Sequence, residues 1–204
     1  VELYDTEEQQ VEAIKDWWKE NGKAVMLGAV IGLGGLFGWR FYQDSVTEAK
    51  EAASEAYTQA IQSLSSKGID ASGDVQSFID GNKDTEYSVL AAMQLAKVQI
   101  EAGNLDEALA QLEWAKSTTK DAALKPVITL RVARVQAEQG DFDAALAELN
   151  NITEEGWAGR VAELRGDISL RKGDTAAAYA AYTEAQQATD ASQTLQIKLD
   201  DLAK

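Results

Sequence analysis

The stretch from Leu130 to Leu149, LRVARVQAEQGDFDAALAEL, decides the fold. Val132-Ala133 leads to Gly140-Asp141-Phe142-Asp143-Ala144-Ala145 and then to Leu149. The spacing predicts a helix that ends at Gly140 in the left-handed conformation and a second helix capped by Asp141, with Ala133 and Ala145 small enough for the two to pack closely. The same signature occurs on either side. Leu95-Ala96 leads to Gly103-Asn104-Leu105-Asp106-Glu107-Ala108 and then Leu112 and Ala115. Gly166 leads to Gly173-Asp174-Thr175-Ala176-Ala177-Ala178, Tyr182 and Ala185. The three glycines stand 37 and 33 residues apart.

That period brackets the roughly 34 residues of the tetratricopeptide repeat, and the small-residue, glycine and alanine spacing resembles that family. The tryptophan and terminal proline of its consensus are largely missing. The alternative is a helical bundle that uses Gly-Asp turns. Helical spacing extends upstream through Ala49, Ala52, Ala53, Ala56, Tyr57, Ala60, Ile61 and Leu64, before Gly68 and a polar loop containing Gly73. No segment alternates with the period of a strand, and the single proline, Pro126, suits the first turn of a helix, where its missing N–H is not needed. The fold class is therefore all-α: one N-terminal transmembrane helix followed by a tetratricopeptide-like α-solenoid.

The transmembrane expectation rests on Ala24 to Trp39, AVMLGAVIGLGGLFGW, which is uncharged and bounded by Lys23 and Arg40. Counted through Tyr42, with Arg40 lifting its charge towards the headgroups, the span 24–42 makes about 28 Å of helix against a hydrocarbon core of roughly 30 Å. A buried core helix is seldom so glycine-rich without a polar face. A cleaved signal peptide would begin basic and end at a small-x-small site, whereas here an acidic segment precedes and the interfacial cluster Trp39-Arg40-Phe41-Tyr42 follows. Gly28 with Gly32, and Gly34 with Gly38, would let another membrane helix approach closely. Residues 1–23 form a polar tail in which Val11, Ile14, Trp17 and Trp18 make the stripe of a short amphipathic helix suited to the lipid surface. Lys15, Lys19 and Lys23 before the span, against Arg40 and Lys50 after it, favour a cytoplasmic N-terminus by three to two. Residues 43–204 form the folded domain.

Nineteen basic against 34 acidic residues give a net charge of −15, which repels phosphate backbones and argues against nucleic acid as a partner. With no Cys and no His, the chain has no thiolate nucleophile and lacks the usual general base and transition-metal ligand. A carboxylate hydrolase is the enzyme reading that remains. Pairs such as Glu154 with Glu155 and Asp200 with Asp201 diverge on a helix or lie in a loop, and nothing in the sequence desolvates one of them. The glycines Gly32, Gly34, Gly35 and Gly38 belong to the span rather than to a phosphate loop. No cofactor is implied, and Trp114 and Trp157 read as core residues.

Further stretches suggest a narrower relationship. Glu20-Asn21-Gly22-Lys23-Ala24, Gly38-Trp39-Arg40, Leu130-Arg131-Val132-Ala133-Arg134-Val135-Gln136, Glu155-Gly156-Trp157-Ala158, Leu164-Arg165-Gly166-Asp167 and Lys172-Gly173-Asp174 together resemble the YfgM-type ancillary subunits of the bacterial SecYEG translocon. The resemblance implies a single-pass inner-membrane protein with a cytoplasmic N-terminus and a periplasmic tetratricopeptide-like domain. It implies the SecYEG translocon and the membrane-anchored periplasmic chaperone PpiD as partners, membrane lipid around the span, and no catalytic residues. Whether unfolded secreted clients bind directly or through another chaperone stays open. The repeat family places partner contacts on the first helix of each repeat, which here implies Lys97 and Glu101, Arg134 and Glu138, and Glu163, Asp167 and Arg171. The expected function is a membrane-anchored, non-catalytic adaptor or chaperone component; the alternative is a tethered scaffold for another envelope assembly.

Overall fold

A computed structural model describes residues 7–202, and every regular element among them is helical. The outermost residues of the expected tail (1–6) and of the expected domain (203–204) lie outside the described part. Helix α1 runs Glu7–Lys67 without a break. The chain divides into two compact units, Val1–Ala52 and Ala53–Lys204, which are described in turn.

In the first unit, α1 carries the stripe Val11, Ile14, Trp17 and Trp18 and the apolar span on one continuous helix. The indole rings of Trp17 and Trp18 lie 6.4 Å apart. The most apolar 18-residue window of the helix has a mean hydropathy of 1.6, and none of it is buried by protein. Leu27, Val30, Ile31, Phe37 and Trp39 are all more than half exposed. In water that surface would be costly at roughly 25 cal/mol per Å²; in hydrocarbon it is matched, and the helix satisfies its own backbone hydrogen bonds.

In the second unit, the end of α1 is followed by a 3-10 turn, Gly68–Ala71, and by α2 (Ser72–Gly81). The loop expected around Gly73 is thus largely helical. Ala71, Val75 and Ile79, four residues apart, are buried together on one side of it, and burial of that stripe outweighs the helix-breaking composition of Ser72-Gly73-Asp74. Three hairpins follow: α3 (Glu86–Glu101) with α4 (Leu105–Thr118), α5 (Leu124–Gln139) with α6 (Phe142–Leu149), and α7 (Ala158–Lys172) with α8 (Thr175–Gln186). Helix α9 (Leu195–Leu202) ends the described chain. Pro126 sits in the first turn of α5. Packing runs mainly between sequence neighbours, as in a solenoid, with an additional contact between the first helices α5 and α7.

The turns follow the repeat pattern. Gly103, Gly140 and Gly173 have φ of 82°, 87° and 90°, and the N–H of the next residue reaches back to the carbonyls of Gln99, Gln136 and Ser169, closing each helix in a Schellman arrangement. One detail differs from expectation. Asn104, Asp141 and Asp174 all stand at N-cap positions, but only the Asp174 side chain accepts a hydrogen bond, from the Ala177 N–H at 2.9 Å. At Asn104 and Asp141 the main-chain carbonyl alone opens the next helix. The small residues behave as expected: Ala96, Ala108, Ala133, Ala145 and Ala178 are fully buried. Gly166 lies under the buried Tyr182 ring, which occupies the space a Cβ would need.

The core consists of three successive clusters. The first joins α1, α2, α3 and α4 to Ile128, Val132 and Val135 of α5. The second joins Leu130, Ala133 and Ala137, also of α5, to α6 and to Val161, Leu164 and Ile168 of α7. The third joins Ala162 of α7 to α8 and α9. Trp114 and Trp157 pack against the first and second clusters, as expected of core residues.

Three substitutions test this scheme in thermal melts. Gly140→Val places a Cβ at a left-handed position, costing about 1–2 kcal/mol, and should lower Tm by several degrees. Gly166→Ala should cost about 1–3 kcal/mol by forcing Tyr182 from its place. Gly73→Ala, which meets open space within α2, should leave the melt unchanged or raise it. Equal melts for all three would contradict the helix-turn-helix register.

Candidate partner-docking face

All seven residues implied by the repeat pattern fall on first helices. Lys97 and Glu101 are on α3, both exposed, with Nζ 3.8 Å from Oε1. Arg134 and Glu138 are on α5, and Glu163, Asp167 and Arg171 on α7. The structure brings Arg134, Glu138, Asp167 and Arg171 around one cavity of about 280 Å³, floored by Ala137, Leu164 and Ile168. Lys97 and Glu101 line a neighbouring cavity of about 290 Å³ with Met93, Ala96, Ile100 and Leu112, and Arg131 completes its wall.

Several of these side chains are already engaged within the chain. The Arg171 guanidinium donates in a fork to both Glu138 oxygens, at 2.6 and 3.0 Å, joining α5 to α7. Lys198 of α9 donates to Asp167 at 2.6 Å and stands 2.9 Å from Glu163, while the Tyr182 hydroxyl donates to the same Asp167 oxygen at 2.7 Å. Glu163 and Asp167 therefore clasp the last helix. Leu195 and Leu199, buried against Ala162, Ala178, Tyr182 and Ala185, fix α9 so that Lys198 lies over α7. The sequence signal for this was the Leu195/Leu199 spacing around Lys198, which motif reading of the repeats passes over because α9 follows the last of them.

The clasp shifts two ionisations. Burial first, then donation to Asp167 and the nearby carboxylates, push the Tyr182 hydroxyl well above its usual value. Burial alone would lower Lys198, but its hydrogen bonds to Asp167 and Glu163 prevail and leave it raised. Elsewhere, carboxylates distant in sequence tie down helix ends: Glu86 accepts from the Thr119 hydroxyl and the Lys120 N–H after α4, and Asp190 from the N–H groups of Gly159 and Arg160 at the start of α7. Glu154 and Glu155 are exposed around a 3-10 turn. Among the described residues no group of His, Cys, Asp and Glu is arranged to hold a metal ion.

In the span, Gly28, Gly32, Gly34 and Gly38 all have open space where a Cβ would stand. At 100° per residue, Gly28, Gly32 and Gly35 share one face and Gly34 and Gly38 another, about 120° away. Each face offers a flat approach to a neighbouring helix.

Residues 15–204 match the family described as tetratricopeptide repeat-like domain. The Ancillary SecYEG translocon subunit of Escherichia coli (strain K12) is 39% identical over the full length of both chains. The protein of the same name from Haemophilus influenzae is 35% identical, covering 96% of this chain and 97% of its own. A shorter match, 27% identical over 66% of this chain, is to the Ancillary SecYEG translocon subunit of Buchnera aphidicola subsp. Acyrthosiphon pisum. The fold defines a helical-repeat protein. The chain belongs to the YfgM-type family of ancillary translocon subunits, with a tetratricopeptide repeat-like domain.

The Tyr182 clasp gives a pH signature. The folded tyrosine holds its proton more tightly than the unfolded one, whose pKa is about 10. Its contribution to stability is therefore complete below about pH 10 and is lost as pH rises beyond it. Between pH 8 and 11 the Tm of Tyr182→Phe should fall less steeply than that of the parent chain. Parallel curves would dissociate Tyr182 ionisation from α9 docking.

Proposed function

We propose that this chain is a membrane-anchored, non-catalytic adaptor that serves as an ancillary subunit of a bacterial SecYEG translocon and assists proteins leaving it, together with the chaperone PpiD. In this reading residues 1–23 lie in the cytoplasm, 24–42 cross the inner membrane and 43–204 stand in the periplasm. The observation that carries it is full-length relatedness to proteins named as ancillary SecYEG translocon subunits. It is supported by an unburied apolar stretch near the N-terminal end of α1 and by a repeat domain with a face of charged side chains on its first helices. Tethering that face beside an exit site raises its effective concentration for emerging segments. Of the seven implied contact residues, Arg134 has the greatest freedom to meet a partner, because Lys97 pairs with Glu101 at 3.8 Å and the others hold one another or α9. The glycine faces of the span are the proposed contact with a neighbouring membrane helix.

Affinity purification of the full chain from membranes in mild detergent should recover the SecYEG subunits and PpiD. Recovery of a different envelope assembly without SecYEG would favour the tethered-scaffold alternative. Topology is tested separately, because the chain has no native Cys. Single cysteines replacing Gln10 and Asp70, both exposed, should react with an impermeant maleimide in intact spheroplasts only at position 70. Labelling at position 10 alone would reverse the orientation.

A further inference from the structure

The arginines between residues 53 and 202 divide into two groups. Arg171 is forked onto Glu138, Arg165 stands 3.4 Å from Glu184, and Arg160 lies over the Trp157 ring at 4.8 Å. Arg131 and Arg134 have no ion pair among the described residues, although the chain carries 34 acidic side chains against 19 basic ones. They stand one helical turn apart on α5, where like charges oppose each other. Arg131 is half-buried, and burial followed by the field of Arg134 lowers its pKa. A repulsive, partly desolvated cation pair is a cost that an internal carboxylate could have removed.

What surrounds the pair gives it a use. Arg131 forms one wall of the cavity floored by Met93, Ala96, Ile100 and Leu112, and Arg134 opens onto the adjacent cavity over Ala137, Leu164 and Ile168. Each cavity has an apolar floor and a charged rim, Lys97 and Glu101 at the first and Glu138, Asp167 and Arg171 at the second, and the two flank a pair of guanidiniums that have no ion pair among the described residues. We propose that Arg131 and Arg134 form a carboxylate-recognition site for an extended segment of a protein partner, in which an apolar side chain enters the Arg131 cavity and adjacent acidic side chains bridge the two guanidiniums. The inference deepens the adaptor reading and rests on it for the partner being a protein. Planar guanidiniums suit forked contacts to carboxylates, and the half-burial of Arg131 strengthens its contacts relative to those of an exposed lysine. The overall negative charge of the chain repels acidic segments elsewhere, so this pair also sets where one can land. Arg171, held by Glu138, is a neighbour of the site without being part of it.

The test uses the full chain in a neutral detergent and a fluorescein-labelled, C-terminally amidated peptide with one leucine followed by two glutamates in a Gly/Ser background. Saturable binding by anisotropy is expected, weakened about tenfold when the glutamates become glutamines and again when the leucine becomes serine. Arg131→Gln with Arg134→Gln should weaken the acidic peptide about tenfold without lowering Tm, since it removes a like-charge contact. Arg165→Gln, which loses only the pair with Glu184 and lines neither cavity, should leave binding within about twofold. Absence of binding, equal binding of the glutamine peptide, or an unaffected double variant would overturn the site. Phosphatidylglycerol vesicles captured through these arginines, with the peptide ignored, would overturn it in favour of a lipid headgroup. Co-purification of SecYEG without peptide binding would remove this inference and leave the adaptor reading intact; peptide binding without SecYEG would do the reverse.

Discussion

The repeat domain depends on first helices that are buried on two sides. Helix α5 gives Ile128, Val132 and Val135 to one core cluster and Leu130, Ala133 and Ala137 to the next. Helix α7 does the same with Val161, Leu164 and Ile168 on one side and Ala162 on the other. Each first helix is thus the shared wall of two cores, and a hairpin removed from the row would expose one of its faces. This explains why the small residues matter. A helix packed on both sides cannot retreat from a larger neighbour, so Ala133 and Ala145 share one fully buried cluster and Gly166 yields its whole side-chain volume to Tyr182.

A helix with two apolar sides has only a narrow strip left for polar side chains, and that strip carries the proposed docking residues. Crowding explains why so many of them pair across helices. Glu138 and Arg171 tie α5 to α7, and Asp167 and Glu163 hold α9 through Lys198. Being partly exposed, such pairs contribute about 0–1 kcal/mol each and act more on register than on stability. The same arrangement covers the last hairpin described, because α9 takes the place of a further first helix against α7 and α8, with Leu195 and Leu199 covering apolar surface.

Much of this was legible in the residues themselves. Gly103, Gly140 and Gly173 marked the turns because left-handed φ leaves glycine almost without competitors, and the buried alanines followed from the same register. The span was legible because lipid imposes a length and a composition that few soluble helices share. What composition hid was tertiary. Ser72-Gly73-Asp74 has the residues of a loop but folds as helix, since Ala71, Val75 and Ile79 find a core that no local window reveals. The capping oxygens of Asn104 and Asp141 looked equivalent to that of Asp174, yet a cap depends on a rotamer that spacing does not encode. The candidate face divided in the same way: helical spacing placed its residues on first helices, but which charges neutralise one another is set by the approach of α7 to α5 and of α9 to α7.

That division bears on how such a face can be both stable and receptive. A charged side chain held by an internal partner must break that pair before it can meet another protein, so its net gain on binding is small. A free one has no such contact to lose, and its cost has already been incurred in the unbound state. In this chain the held charges are concentrated on α7 and its contacts, whereas α5 keeps Arg131 and Arg134 unpaired in the middle of the row. The α7 end of the row is thereby fixed, while α5 is left with unmet electrostatic demand, and the proposed docking site rests on that difference.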